Sequence, residues 1–366
     1  MRAVKKLTVG IIGFDHIHAR QFRDSFLRHP EQYNILGCAD VPVKDGSYPE
    51  DSEVRRLRNL GGDFGTLYAN YRDLLDLRPD VVAVCSTISR YPDMAEECCA
   101  RGIVSVVEKP MAVSLEDAMR MYRSSEGYGV PLFVKWPIIW CRAFERVREL
   151  IREGAVGRVL RIQYRSPATL GPHSGRYTPE ERRKMWWFHR ELGGGSIMDY
   201  AGYGHALLTY LLGKPALREF GISKNFMMPY SDAEDYSAFL MDFGDCVGWV
   251  EGSWSTVNSG EIPTGPVVYG SDGVLVADRF SPEVKLYRRF DHKFTPPDAV
   301  YTVDADDFPD IADDLYRHLV HGHPVSELML RDFNLTVMAE LDAGIRSLST
   351  GAAEPVSIPE TGSGTR

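Results

Sequence analysis

Hydrophobic positions change their period about a third of the way along the chain. Before that point, short apolar runs alternate with segments of helical period. "KLTVGIIGF", "YNILGCADV", "DVVAVCST" and "IVSVVEKP" read as buried strands. "HIHARQFRDSFLRHP", "NYRDLLDLRP" and "MAEECCARG" read as helices, the last stopped by Gly102. Strands separated by helices of this length pair in parallel through right-handed crossovers, which predicts a doubly wound sheet. Ser114 opens a further helix, "SLEDAMRMYRSS", with Asp117 completing a capping box, and "GVPLFVKWP" reads as the last strand. This places a boundary at 135, with a first domain over 1–135 and a second over 136–366. In the second, the helix "RAFERVRELIREG" leads to alternating stretches, "VGRVLRIQYRS", "SAFLMDFGDCVGWVEGSW", "GPVVYGSDGVLVAD" and "EVKLYRRF", with turns at Gly-Asp and Ser-Asp-Gly. These predict an open, mainly antiparallel sheet. The helix "GGGSIMDYAGYGHALLTYLLG" interrupts them, and two helices close the chain.

Composition narrows this α/β picture without redirecting it. With 366 residues, 44% hydrophobic and 25% charged, the chain reads as an ordinary globular protein of two domains. The net charge of -9, with basic and acidic residues interspersed, argues against nucleic acid. No run approaches the ~20 apolar residues of a membrane helix. The opening "MRAVKKLTVGIIGF" reads as the first strand rather than a signal peptide, because it lacks a small-residue cleavage site and runs straight into "DHIHAR". Six cysteines without C-x-x-C spacing fit a reducing cytoplasm.

The candidate chemistry lies at strand ends. A dinucleotide loop has the form G-x-G-x-x-G, and here that frame holds Gly13, Asp15 and His18. Gly13 can make the tight turn; Asp15 is predicted to cap the helix that follows, a local role that does not exclude cofactor binding. Asp40 ends the second strand 22 residues beyond His18 (40 − 18), where a carboxylate meets ribose hydroxyls and disfavours the 2'-phosphate of NADP. Glu108-Lys109-Pro110 sends a lysine off the C-terminal edge of the sheet in a direction restricted by the proline, which can follow a cis bond. His16 and His18, like His321 and His323, have H-x-H spacing, but with no acid or cysteine cluster nearby in sequence the expectation is no metal.

With these motifs the chain resembles the Gfo/Idh/MocA oxidoreductases over nearly its whole length. The resemblance rests on "VGIIGFDHIHA", "VVAVCSTISRY", "VVEKPMA", "ELIREGAVGRVLRIQYRS", "GGGSIMDYAGYGHALLTYLLG" and "SLSTGAAEPVSIP". Departures are Asp15 and His18 for glycines, Ser86-Thr87-Ile88 for Thr-Pro-Asn, and Tyr91 where histidine is frequent. It implies an N-terminal Rossmann domain and a C-terminal α/β domain whose sheet joins subunits into a homodimer or homotetramer. It implies NAD as cofactor, in preference to NADP, held by Gly13, Phe14, Asp15, His16, Asp40, Ser86, Thr87, Glu108 and Lys109.

The expected reaction is hydride transfer at a secondary alcohol of a sugar, sugar acid or cyclitol. At about 100° per residue, Asp199 and Tyr203 share a helix face and His205 points elsewhere. Tyr203 stands where the family carries histidine, so the resemblance assigns it the proton transfer, Lys109 the alkoxide and Asp199 the orientation of substrate. Lys135, Trp136 and His189, at a strand end and in an aromatic loop, are candidate sugar contacts, and His205 reads as structural. Two alternatives stay open: an NAD-dependent glycoside hydrolase with transient redox chemistry, and a cofactor-free binding or regulatory homologue.

Overall fold

The structure is a computed structural model that describes residues 5–16, 18–39, 64–168, 171, 177–257, 260, 262–288, 295–304 and 310–359. Asp40 lies outside the described residues. The chain divides into two compact units that are not the two halves of a linear cut. The first takes Met1–Trp136 and gains Thr178–Gly193 and Pro309–Asn334; the second takes Pro137–Tyr177, Gly194–Phe308 and Leu335–Arg366.

In the first unit six strands form one parallel sheet: β1 (Leu7–Ile12), β2 (Tyr33–Ala39), β3 (Thr66–Tyr68), β4 (Val81–Val84), β5 (Val104–Glu108) and β6 (Leu132–Lys135). Their order is β3-β2-β1-β4-β5-β6, the doubly wound arrangement that the alternation of strand and helix predicts. Burial on both faces explains the unbroken apolar runs: every residue of β4 is buried. The chain order reverses between β1 and β4, and the turn after β1 opens onto that switch point. Ser114 caps its helix as expected, its hydroxyl accepting the Asp117 amide at 3.1 Å.

Nine strands make the sheet of the second unit: β7 (Val159–Pro167), β8 (Arg218–Lys224), β9 (Tyr236–Asp242), β10 (Val247–Ser253), β11 (Val267–Gly270), β12 (Val274–Val276), β13 (Glu283–Tyr287), β14 (Ala299–Thr302) and β15 (Glu354–Pro355). The order is β14-β13-β12-β11-β7-β10-β9-β8-β15, and all neighbours are antiparallel except β7 with β10. Side chains alternate across it: Ile162 and Tyr164 of β7 and Val250 of β10 are buried, while Trp249 is exposed.

Candidate active site

The turn after β1 is built by Gly13 at φ 81°, where a Cβ would lie 2.7 Å from the Ser86 backbone. Only glycine lets this turn pass so close to the end of β4. The structure corrects the role expected of Asp15. The helix Ala19–Arg28 has His18, not Asp15, at its N-cap, and no side chain caps it. Asp15 instead turns inward, its Oδ2 accepting from the Ser86 hydroxyl at 2.7 Å and the Thr87 amide at 3.2 Å. Burial pushes this carboxyl up to about 6, with the Ser86 hydrogen bond working against the shift. Phe14 is core, edge-on to Phe64 at 5.2 Å. Three amides beyond Gly13 are already committed: His16 to the Cys85 carbonyl after β4, His18 to His16 Nδ1, and Ala19 to the His16 carbonyl. A pyrophosphate that used these N–H groups would have to exchange those partners.

Glu108, at the end of β5, gathers the loop's imidazoles. Its Oε1 lies 2.8 Å from His18 Nδ1 and its Oε2 3.2 Å from Lys135 Nζ. One donor atom from each of His16, His18 and Glu108 falls within 4.8 Å of the others, so the acid missing around the H-x-H pair in sequence is present in space. Yet both carboxylate oxygens are already engaged, and a cation would share the carboxylate with an ammonium. Burial raises Glu108, but Lys135 and His18 outweigh it and hold the carboxyl well below its usual range. Burial also keeps His16 and His18 below the ordinary imidazole value. Trp187 lies against His16 at 4.9 Å and stacks on Trp186 at 3.9 Å. The Trp186 indole donates to the Asp15 carbonyl at 2.8 Å.

The expected sugar contacts are less open than their sequence positions suggest. Lys135 also donates to Gln21 Oε1 at 2.8 Å, and the Trp136 indole donates to Asn334 Oδ1 at 2.8 Å; both residues are buried. His189 is half-buried, with Nε2 bonded to the Arg183 carbonyl at 2.7 Å. Lys109 is buried, and the bond joining it to Pro110 is cis.

In the second unit, Gly195 at φ 105° lets the chain pass Glu234, whose Oε1 accepts the Ile197 amide at 2.9 Å. A Cβ on Gly195 would sit 2.3 Å from that oxygen. Ile197–Ala201 then winds as a π-helical turn before the α-helix Gly202–Leu212, so the regular 100° step does not apply around Asp199. Asp199 is placed instead by Trp254, whose indole donates to its Oδ2 at 3.1 Å. Tyr203 is buried, with the Arg279 guanidinium 5.0 Å from its ring centre. Burial, with Asp199 and Tyr203 beside it, raises the Tyr200 phenol far above its usual range.

His205 is fully buried and engaged on both ring nitrogens. Its Nδ1–H donates to the Ala201 carbonyl at 2.8 Å and its Nε2 meets Glu219 Oε2 at 3.1 Å. Glu340, held by Thr209 and the Ala216 amide, completes this buried group, its carboxyl pushed up to about 8 by burial and by Glu219. Sequence reasoning missed Arg279, Trp254 and Trp186. Each reaches its partner across a long stretch of chain, and no local spacing announces it.

Two family models match: an oxidoreductase family with an NAD-binding Rossmann fold over residues 7–136, and a Gfo/Idh/MocA C-terminal domain over residues 144–276. The chain is 31% identical over 121 residues to D-apiose dehydrogenase of Paraburkholderia graminis, covering 32% of each protein. It is 31% identical over 124 residues to myo-inositol 2-dehydrogenase of Thermotoga maritima, covering 32% of this chain and 37% of that protein. The matched segment thus spans about a third of the length of these curated relatives. Among solved structures, the WlbA dehydrogenase of Bordetella pertussis in complex with NADH and UDP-GlcNAcA superposes with a TM-score of 0.75. That match has 19% identity and covers 97% of this chain and 100% of that one, which carries the fold.

Proposed function

Because the chain belongs to the Gfo/Idh/MocA family of oxidoreductases, we propose that it transfers hydride between NAD and a secondary alcohol of a sugar, sugar acid or cyclitol. The observation that carries this reading is the joining of a β3-β2-β1-β4-β5-β6 sheet, whose β5 runs out into Glu108-Lys109-Pro110, to a matched family C-terminal domain. Relatives named for a sugar and a cyclitol support the substrate class. The turn at Gly13 suits a dinucleotide, and the inward Asp15 carboxylate takes its charge off the phosphate path. Nicotinamide, when bound, supplies the hydride chemistry. Tyr203 exchanges the hydroxyl proton at its phenolic oxygen, Lys109 bears on the alkoxide charge, and Asp199, held by Trp254, orients the substrate.

NAD is preferred to NADP through the charge of Asp40. Glu108 orders His18 and Lys135 rather than holding a metal. The oligomer, the absence of nucleic-acid partners and a cytoplasmic location remain part of the same proposal. Among the described residues no helix is long and apolar enough to cross a membrane.

The test is a panel of sugars, sugar acids and cyclitols screened for NADH formation, with NAD and NADP affinities from fluorescence titration. Tyr203→Phe should lower kcat roughly 10²- to 10⁴-fold and leave NAD affinity nearly intact. His205→Asn, judged per folded molecule, should lower it far less. Near-native turnover in Tyr203→Phe would remove Tyr203 from the reaction, and equal affinities for the two cofactors would remove Asp40 from the choice.

A further inference from the structure

Arg279 was invisible to sequence reasoning, and its surroundings in the second unit are unusual. Its backbone is pinned from several sides. The Arg279 amide donates to Thr264 Oγ1 at 3.2 Å, and Thr264 is tied to Asp278 Oδ2 through its own amide at 2.8 Å and its hydroxyl at 2.9 Å. The Cys141 thiol points at the Arg279 carbonyl at 3.9 Å. So held, the half-buried guanidinium sits 5.0 Å from the centre of the Tyr203 ring. It also faces Tyr164 of β7, while Tyr200 approaches from the π-helical turn and Cys141 from the start of the helix Arg142–Arg152. No carboxylate forms an ion pair with Arg279 among the described residues; Asp278 is spent on Thr264 and on the Phe280 amide at 2.9 Å.

A fixed cation whose polar neighbours are phenols favours the ionised form of whichever phenol lies nearest. We propose that Arg279 acts through Tyr203 as a positioning residue, its guanidinium stabilising the Tyr203 phenolate so that this tyrosine can accept the substrate's hydroxyl proton. The inference rests on the assignment of proton transfer to Tyr203, and it adds a source of activation within the same unit. Guanidinium keeps its charge at every working pH, whereas an ammonium can lose it, so the activation does not itself titrate. Tyr164 and Tyr200 are less suited to the role. The guanidinium lies over the ring of Tyr203 and not over theirs, and Tyr200 also has the Asp199 carboxylate beside it.

The deciding titration needs neither substrate nor cofactor. Ultraviolet titration of tyrosinate, taken as the difference between the protein and its Tyr203→Phe variant, isolates the ionisation of Tyr203 among the 18 tyrosines. The same difference is measured in Arg279→Met and Arg279→Gln backgrounds, and in Arg279→Lys, which keeps a positive charge. Tyr203 should ionise below the ordinary ~10 in the native protein. Its midpoint should rise by about 1–3 pH units in the two neutral backgrounds and recover most of that shift in Arg279→Lys. An unchanged midpoint in a folded neutral variant, or a native midpoint above ~10, overturns the proposal. Should Tyr203→Phe retain native turnover while the titration still shows the shift, the proton-transfer assignment fails and the electrostatic coupling stands. With an oxidisable polyol from the panel, the rising limb of kcat/KM should move with the titration midpoint, which a purely structural arginine would not cause.

Discussion

At the scale of single residues, Asp15 shows how one side chain couples cofactor loop and stability. Its carboxyl is buried against Ser86 and Thr87, and its Oδ1 has no hydrogen-bond partner among the described residues. The folded value of about 6 exceeds that of an unfolded aspartate, so the native state holds the proton more tightly. Its contribution is therefore full at about pH 4 and is lost as pH rises through 6, by an order of ~3 kcal/mol at most. Asp15→Asn keeps an acceptor for the Thr87 amide and abolishes the titration. Thermal melts should place Asp15→Asn above the native protein at pH 7.5 and level with it at pH 4. Identical pH slopes in the two proteins would show that Asp15 is ionised in the fold at low cost. The subtraction matters because Glu340, pushed up to about 8, adds its own slope in both proteins.

At the scale of elements, the helix carrying Asp199 and Tyr203 is seated by missing side chains. A Cβ on Gly252 of β10 would stand 2.7 Å from the Ala201 amide nitrogen and 2.8 Å from the Ser196 carbonyl. These are backbone atoms of the π-helical turn and cannot rotate aside. On the helix, a Cβ on Gly204 would meet Val250 of the same strand at 2.3 Å. Gly252→Ala should therefore push the turn off the strand at a cost of about 1–3 kcal/mol, the usual range for overpacking. Urea unfolding measures that loss, and kcat should fall with it while NAD affinity holds, because Gly252 and the nucleotide loop belong to different units. Gly127→Ala is the control. It lies in a helix with open space at its Cβ, and should be neutral or stabilising by a few tenths of a kcal/mol. Equal effects of the two substitutions would mean the seat is not tight.

At the scale of the whole molecule, one face of the nine-stranded sheet carries a largely apolar row with two exposed members. Strand register aligns Phe220, Leu240, Trp249, Gln163, Val267 and Val276 in one row across β8, β9, β10, β7, β11 and β12. Leu240 is 50% exposed and Trp249 37%, an unusual state for large apolar groups on a sheet face. This fits the association of subunits through the sheet that the family resemblance implies. Sedimentation should find a dimer or tetramer, and Trp249→Glu should convert it to monomer with its secondary structure retained. A native protein that sediments as a monomer would end that reading.

The sequence by itself determined the α/β class, the doubly wound first unit, the Gly13 turn and the placing of Tyr203 apart from His205. Each follows from short-range physics: β-branched runs buried on both faces, a turn that requires positive φ, and positions a few residues apart on one helix. Strand β3, only three residues long, gave no such run and was not foreseen. Tertiary structure decided what depends on contacts between distant segments. It turned Asp15 inward instead of onto its helix, because Ser86 and Thr87 offer donors some seventy residues away that outbid the helix end. It brought Glu108 to His18, closed Trp186 over the Asp15 carbonyl, and returned Thr178–Gly193 and Pro309–Asn334 to the first unit. It also set Arg279 against Tyr203. A side chain's hydrogen-bond partner is chosen by the folded geometry of the whole unit, and the period of a single segment carries no record of that choice.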